Sequence, residues 1–531
     1  MKKILITGAL HQRAFDILDS DPNVEYNYKP DLPREEILQI IGDYDCHISR
    51  SETDVDEEFL SHAGKLSVVA RAAVGIGNID VASATEKGIL VFNTPGKNTN
   101  SAAELTLMLM ISVIRNGVKA HISMAQNKWN RHSFTGTELL GKTIGIIGLG
   151  NVGHRVARFC NAFDCDVITY DPYVTREYCN SHNTRQVELE ELIRTSDIIT
   201  IHTPKNPETI KMLNDAQIEK MKDGVVLINA ARGGLFDEDA MYRGMKSGKI
   251  AGLGIDTWDV EPVSEHPLKE FENLVMTPHI GASTKEAQFR IADSVASETL
   301  KALRGEIVST PVNLPDIAGL SGELAGHYAY LAGKLGSFSR QYMHQEFVPE
   351  QIEFLFRGTI EPEDFALIKL SYLKSFLQGT LDETVSYVNV LHIAESKGIH
   401  LIEREDKAFS DYESAIRVQV KGGGHEITIG GTILGRSQVR LSYLNGFAFE
   451  VEPQGNILSI ENEDVPGVIG HVGTILAQHK ININRFELSR ENEGGKAMAM
   501  VQIDGEVTDQ AIDDLCAFSP INRVQSIRLG G

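Results

Sequence analysis

Three glycines spaced Gly148-x-Gly150-x-x-Gly153 stand between an apolar β-rich run, 143–147, and a helical segment carrying Val156, Ala157 and Phe159. A second β-rich run, 167–170, follows and ends in Asp171. Strand, glycine turn, helix and second strand closed by an acid admit few arrangements other than a parallel sheet with a crossover helix. Gly148 permits the tight turn, Gly150 lets the backbone approach a pyrophosphate, and Gly153 lets the helix lie close on the sheet, with its first N–H groups facing the phosphates. Asp171 is placed to accept from ribose hydroxyls, and its charge repels a 2′-phosphate. The motif therefore predicts NAD rather than NADP.

From about 143 to 277 short strands (143–147, 198–201, 225–228, 274–276) alternate with helical lengths, the pattern of a doubly wound sheet. The first hundred residues repeat it more loosely, with strands expected at 4–7, 46–49, 67–70 and 90–93. Beyond Pro311 and Pro315 a small-residue stretch, Gly319 to Gly322, reads as a linker. Residues 317–453 then read as an α+β domain. In it Ile352, Phe354 and Phe356 alternate, and two strands meet across Asn445-Gly446. From 456 to 531 the order strand, helix, strand, strand, helix, strand is the ferredoxin-like βαββαβ unit.

Oxidising a hydroxyl beside a carboxylate needs a base for the hydroxyl proton, a partner that keeps that base at a suitable pKa, and a cation for the carboxylate. Near expected strand ends the chain offers Arg232 in Asn229-Ala230-Ala231-Arg232-Gly233-Gly234, Glu261 in Asp259-Val260-Glu261-Pro262, and His279 in Thr277-Pro278-His279-Ile280-Gly281. Carboxyl ends of parallel strands are where such folds bind ligands.

These segments together with the glycine motif resemble the D-isomer-specific 2-hydroxyacid dehydrogenase family over roughly residues 1–310. The resemblance implies a substrate-binding domain from 1–100 plus 284–310 around an NAD-binding Rossmann domain, 101–283. It makes His279 the acid/base, Glu261 the carboxylate that holds its imidazole, and Arg232 the clamp on the substrate. Further cofactor contacts would fall on Asn151, Val152, Thr203, Ala230, Asp256 and Gly281. Taken at full length the chain is similar to the long-form branch that acts on 3-phosphoglycerate. That implies phosphate binding by Arg50 and Arg71, with Asn98 in the site and Arg131 reaching across a homodimer or homotetramer. Val74, Gly77 and Gly96-Lys97 depart from the branch's pattern.

Residues 456–531 look like an ACT regulatory domain, and 317–453 like the intervening, allosteric substrate-binding-like domain of the same branch. By position, Asn462, Asp464 and Asn482 are candidate holders of an L-serine effector, and Arg436 with Arg440 of a second anion. Two other readings use the same residues: a hydroxypyruvate or glyoxylate reductase, and a non-enzymatic NAD-sensing regulator.

Fifty-one basic against seventy-three acidic residues leave a net charge of −22, which argues against nucleic acid and anionic lipid as partners. Any anionic ligand must therefore be caught by a local arginine cluster. No apolar run reaches the roughly 18 residues of a membrane span, and the opening run ends at His11-Gln12-Arg13, as a strand would. Five scattered cysteines without C-x-x-C suggest neither disulfides nor zinc, and a reducing, cytoplasmic home. No histidine spacing calls for a metal.

Overall fold

The computed structural model describes residues 1–306, 308–314, 323–343, 347–378, 385–406, 412–435 and 437–530. The linker read at Gly319–Gly322 and Arg436 lie outside these residues.

A first sheet has the order β2-β1-β3-β4-β5, from β1 (Lys2–Ile6), β2 (Val24–Tyr28), β3 (Cys46–Ser49), β4 (Val68–Arg71) and β5 (Leu90–Phe92). All its pairings are parallel. Such strands are covered on both faces, so Ile4, Leu5, Ile6, Ile48 and Val69 are all buried. The helix Lys285–Leu303 returns from far along the chain to pack Ile291 and Val295 onto this sheet.

The second sheet is also parallel, in the order β12-β11-β10-β9-β6-β7-β8. Its strands are β6 (Thr143–Ile147), β7 (Asp166–Tyr170), β8 (Arg185–Gln186), β9 (Ile198–Ile201), β10 (Val225–Asn229), β11 (Ile250–Ile255) and β12 (Leu274–Met276). Chain order reverses beside β6, and the glycine turn leaves that strand at the point where open sheets bind ligands. The helix Thr99–Ile114 links the two sheets and buries Ala103, Leu109 and Met110 in the second. Among the described residues no single helix is long and apolar enough to cross a membrane.

A third, mixed sheet runs β14-β13-β15-β16-β17-β18, from β13 (Gln351–Gly358), β14 (His400–Asp406), β15 (Ser414–Gly422), β16 (His425–Leu434), β17 (Gln438–Leu444) and β18 (Phe447–Val451). Asn445 and Gly446 both take positive φ (46° and 100°), which fits the two-residue hairpin read from the sequence. The fourth sheet, β20-β21-β19-β22, is antiparallel: β19 (Gly455–Glu463), β20 (Ile483–Arg490), β21 (Lys496–Ile503) and β22 (Ile521–Leu529). One face carries the helices Val468–Gln478 and Asp509–Cys516 over Leu458, Ile460 and Val501. The other face, with Ile457, Met498, Met500, Ile527 and Leu529, belongs to the same apolar cluster as Phe354, Tyr372 and Leu441 of the preceding domain. The two carboxyl-terminal units thus share one core.

Candidate active site

The glycine turn is built as its residue types require. Gly148 has φ 91°, and a Cβ there would lie 2.9 Å from the His202 carbonyl oxygen. A Cβ on Gly153 would fall 2.0 Å from the oxygen of Gly148, so the helix Gly153–Ala162 starts hard against the turn. At Gly150, by contrast, nothing lies within 4 Å of where a Cβ would be. Asn151 and Val152 complete the turn, and no side chain caps the helix; His154 N and Arg155 N turn back to Gly150 O and Val152 O, so a ligand would be met by the N–H groups at 151–153. Asp171, just past β7, accepts from Leu149 N at 2.8 Å and Tyr173 N at 2.9 Å, fixing the turn and its own carboxylate together. Thr203 follows β9, with its hydroxyl buried and unpartnered, and Ala230 follows β10. An open backbone cradle, an acid on the next strand and an orphan hydroxyl fit a dinucleotide.

Between the carboxyl edges of the first two sheets opens a cavity of about 970 Å³ whose lining includes Arg50, Arg71, Asn98, Arg232, Glu261 and His279. Arg50 follows β3, and Arg71 ends β4. Arg232 reaches across from the turn after β10, so that a Cβ on Gly75 would lie 3.5 Å from its Nη2. Arg50 donates to Ala9 O at 2.8 Å and Gln288 Oε1 at 3.1 Å. Gln288 lies on the returning helix, a contact no local pattern announces. Arg71 is 5% exposed, donates through Nε to Gly75 O at 2.9 Å, and has a buried Nη1 with no partner. Burial brings its pKa down to about 10, with Arg50 and Arg232 adding repulsion against the pull of Glu52 and Asp54. Burial likewise lowers Arg232, partly offset by Glu261.

Glu261 Oε2 lies 2.7 Å from His279 Nδ1, and its Oε1 accepts from Trp258 N at 2.9 Å. His279 has φ 53°, a left-handed conformation uncommon for a side-chain-bearing residue. Asp256 holds it there: its carbonyl accepts from His279 N at 2.9 Å. The carboxylate of Asp256 is fully buried and accepts from Thr277 Oγ1 at 2.5 Å, Ile280 N at 2.8 Å and Gly281 N at 3.0 Å. The structure therefore shows Asp256 and Gly281 engaged with each other beneath the His279 turn. Two residues that no sequence signature assigns a role stand behind Arg232: Asn229 bonds the turn that bears it, and Thr257 bonds Asn229. Asn229 heads the Arg232 motif, but its spacing gave no sign that the side chain is buried.

Arg131, in the short helix Arg131–Phe134, is exposed and is not part of the cavity lining. In the fourth sheet the three effector candidates do not meet within one chain. Asn462 is paired with Ala497, which also faces Arg490, whereas Asn482 precedes Ile483, which faces Ile503 at the opposite end. Asp464 accepts from Arg490 Nη1 and Gly494 N, which lowers its pKa, and Asn482 donates to Asp504 at 2.8 Å. Arg440 lines a smaller cavity of about 330 Å³ with Tyr330, Gln438 and Glu452. Among the described residues no group of three or more His, Cys, Asp or Glu is placed to hold a metal.

Residues 107–281 match the family model of the D-isomer specific 2-hydroxyacid dehydrogenase NAD binding domain. Residues 325–445 match the D-3-phosphoglycerate dehydrogenase intervening domain, and 456–519 the ACT domain. The chain is 36% identical over 530 residues to D-3-phosphoglycerate dehydrogenase of Methanocaldococcus jannaschii, covering all of both chains. It is 34% identical over 522 residues to that of Archaeoglobus fulgidus, covering 98% of each. Among solved structures, the TT0316 protein of Thermus thermophilus superposes with TM-score 0.55 at 32% identity, over 58% of this chain and 99% of its own. A D-lactate dehydrogenase of Aquifex aeolicus, complexed with NAD and lactic acid, gives 0.53 at 27% identity, over 59% of this chain and 100% of its own.

Proposed function

We propose that this chain, which belongs to the D-3-phosphoglycerate dehydrogenase family, oxidises C2 of 3-phosphoglycerate with NAD to give 3-phosphohydroxypyruvate, the step that opens L-serine synthesis. The observation that carries the reading is the single cavity holding an imidazole–carboxylate pair 2.7 Å apart and three arginines. NAD supplies the acceptor for the hydride that leaves C2. The cradle at Gly148, Gly150 and Gly153, with Asp171 and Thr203, would hold it.

His279 hydrogen-bonds through Nδ1–H to Glu261, which leaves Nε2 free to take the C2 hydroxyl proton. Glu261 holds the ring from its Nδ1 side and so keeps Nε2 turned toward the substrate. Arg232 pairs with the substrate carboxylate and the developing carbonyl, and its burial strengthens that attraction. Arg50 and Arg71 take the phosphate. Arg71 has a buried Nη1 without a partner, and a phosphate oxygen would accept from it while relieving the repulsion among the arginines.

Met108, Ile122, Met124 and Trp129 are exposed on or beside the bent pair Thr99–Ile114 and Gly117–Ala125. We take this apolar face as the one on which two copies pair, bringing Arg131 to the neighbouring cavity. L-serine would then bind between paired ACT units, with Asn462 and Asp464 from one copy and Asn482 from the other. All five cysteines are free, in keeping with a cytoplasmic setting.

The test is steady-state kinetics with NAD and 3-phosphoglycerate, with and without L-serine, on the intact chain, Arg50→Ala and Arg71→Ala. Losing one charged contact should cost about 2–3 kcal/mol in kcat/KM, roughly 30- to 150-fold. Glyoxylate and hydroxypyruvate, which lack the phosphate, should be little affected. Unchanged activity on 3-phosphoglycerate in both variants would sink the phosphate assignment.

A further inference from the structure

We infer that Asn229 is a positioning residue, one that sets the guanidinium of Arg232 against the imidazole of His279. The inference rests on the roles proposed above for those two side chains. Asn229 ends β10, is 2% exposed, and never reaches the cavity lining. Its Nδ2 donates to Arg232 O at 2.9 Å, while its Oδ1 accepts from Ala231 N at 3.1 Å and Thr257 Oγ1 at 3.4 Å. Its main-chain carbonyl accepts from Asp256 N at 2.9 Å.

The far side of this grip is the segment 256–258, and that segment orients both other groups. Asp256 holds the His279 turn through one carbonyl and two carboxylate oxygens, and Trp258 N holds Glu261. Asn229 therefore fastens the turn bearing the cation to the stretch that aims the base, through its buried amide on the Arg232 side and through its main-chain carbonyl and the 3.4 Å bond from Thr257 on the other. The two turns also touch directly, since a Cβ on Gly233 would lie 1.8 Å from Trp258 O. With the amide removed, Arg232 O and Ala231 N lose their shared anchor, and the guanidinium is free to drift. Misplacement by about 1 Å costs a reaction of this kind on the order of 100-fold. Of the expected cofactor contacts only Ala230 and Asp256 adjoin Asn229, and the bond from Asp256 N to the main-chain carbonyl of Asn229 stays when the side chain is removed, so NADH affinity should be largely kept.

The experiment is a double-mutant cycle on the full chain: wild type, Asn229→Ala, Arg232→Ala and the double variant. Each is assayed with NAD and 3-phosphoglycerate, and NADH affinity is titrated separately by fluorescence. Asn229→Ala should lower kcat/KM about 30- to 100-fold with NADH affinity within about twofold, and should cost nothing further when Arg232 is already alanine. Additive losses, or an equal loss of NADH affinity, would overturn the inference in favour of a purely structural residue. If Arg232→Ala leaves kcat/KM unchanged, the role given to Arg232 fails. If Arg232→Ala is impaired and Asn229→Ala is not, only the present inference falls. Should Asn229→Ala not fold, Thr257→Val removes one bond of the same hub. It should lower kcat/KM about three- to tenfold in wild type and not at all in Arg232→Ala, and no change in wild type would refute the link.

Discussion

His279 sits at φ 53°, a conformation that costs free energy in any residue with a Cβ, and buried Asp256 keeps it there through four hydrogen bonds to its turn. Glutamine at 279 keeps a polar group in place but cannot accept a proton. His279→Gln should therefore lower kcat by about 10³-fold while NADH affinity, read by fluorescence titration, changes less than twofold. Equal losses in both would mean that the turn itself had collapsed. Reaction chemistry and family likeness made Arg232, Glu261 and His279 legible, since each lies in a segment with its own signature. Asn229 and Gln288 were not legible, because a buried hydrogen bond between distant segments leaves no periodicity in either. Asn462, Asp464 and Asn482 were read as holders of an effector between paired units, and their order in the chain gave no sign of which end of a strand each occupies.

Within the elements, the glycine turn separates two uses of one residue type. Gly153→Ala puts a methyl 2.0 Å from a carbonyl oxygen and should lower Tm in a thermal melt. Gly150→Ala meets no protein atom, so Tm should hold while NAD affinity falls by about tenfold or more, the methyl occupying the pyrophosphate's place. The strands were readable because apolar β-branched runs alternated with helical lengths, and the Asn445-Gly446 hairpin because few residues tolerate its φ values. Strand β3 hides a second consequence. His47 is fully buried against Phe59, bonded to Thr7 Oγ1, and its pKa is brought down to about 3, chiefly by burial and further by Arg71. Unfolded, it would titrate near 6.5. Between those two values the unfolded chain takes up a proton that the folded one refuses, so stability falls as pH drops from about 6.5 toward 3. The loss is about 1.4 kcal/mol per pH unit at most. His47→Gln should narrow the gap in Tm between pH 7 and pH 5, and an undiminished gap would contradict this account.

Across the whole molecule, the sheet of the ACT unit closes the core of the intervening domain with Ile457, Met498, Met500, Ile527 and Leu529. A chain ending at 454 would therefore expose Phe354 and its neighbours. It should melt at lower temperature and bind a hydrophobic dye, rather than behave as a stable, merely unregulated enzyme. The intervening domain also touches the first sheet, where Ser386 Oγ donates to Gly88 O at 3.0 Å, two residues before β5. Neither contact was foreseeable from sequence, since both depend on how separately recognisable units come together.

Three guanidinium groups facing one hollow, in a protein of net charge −22, make that hollow a trap for small multivalent anions. Sulfate and inorganic phosphate should compete with substrate far more strongly than chloride does at equal ionic strength. Rates measured in phosphate buffer should accordingly understate the affinity seen in an uncharged one.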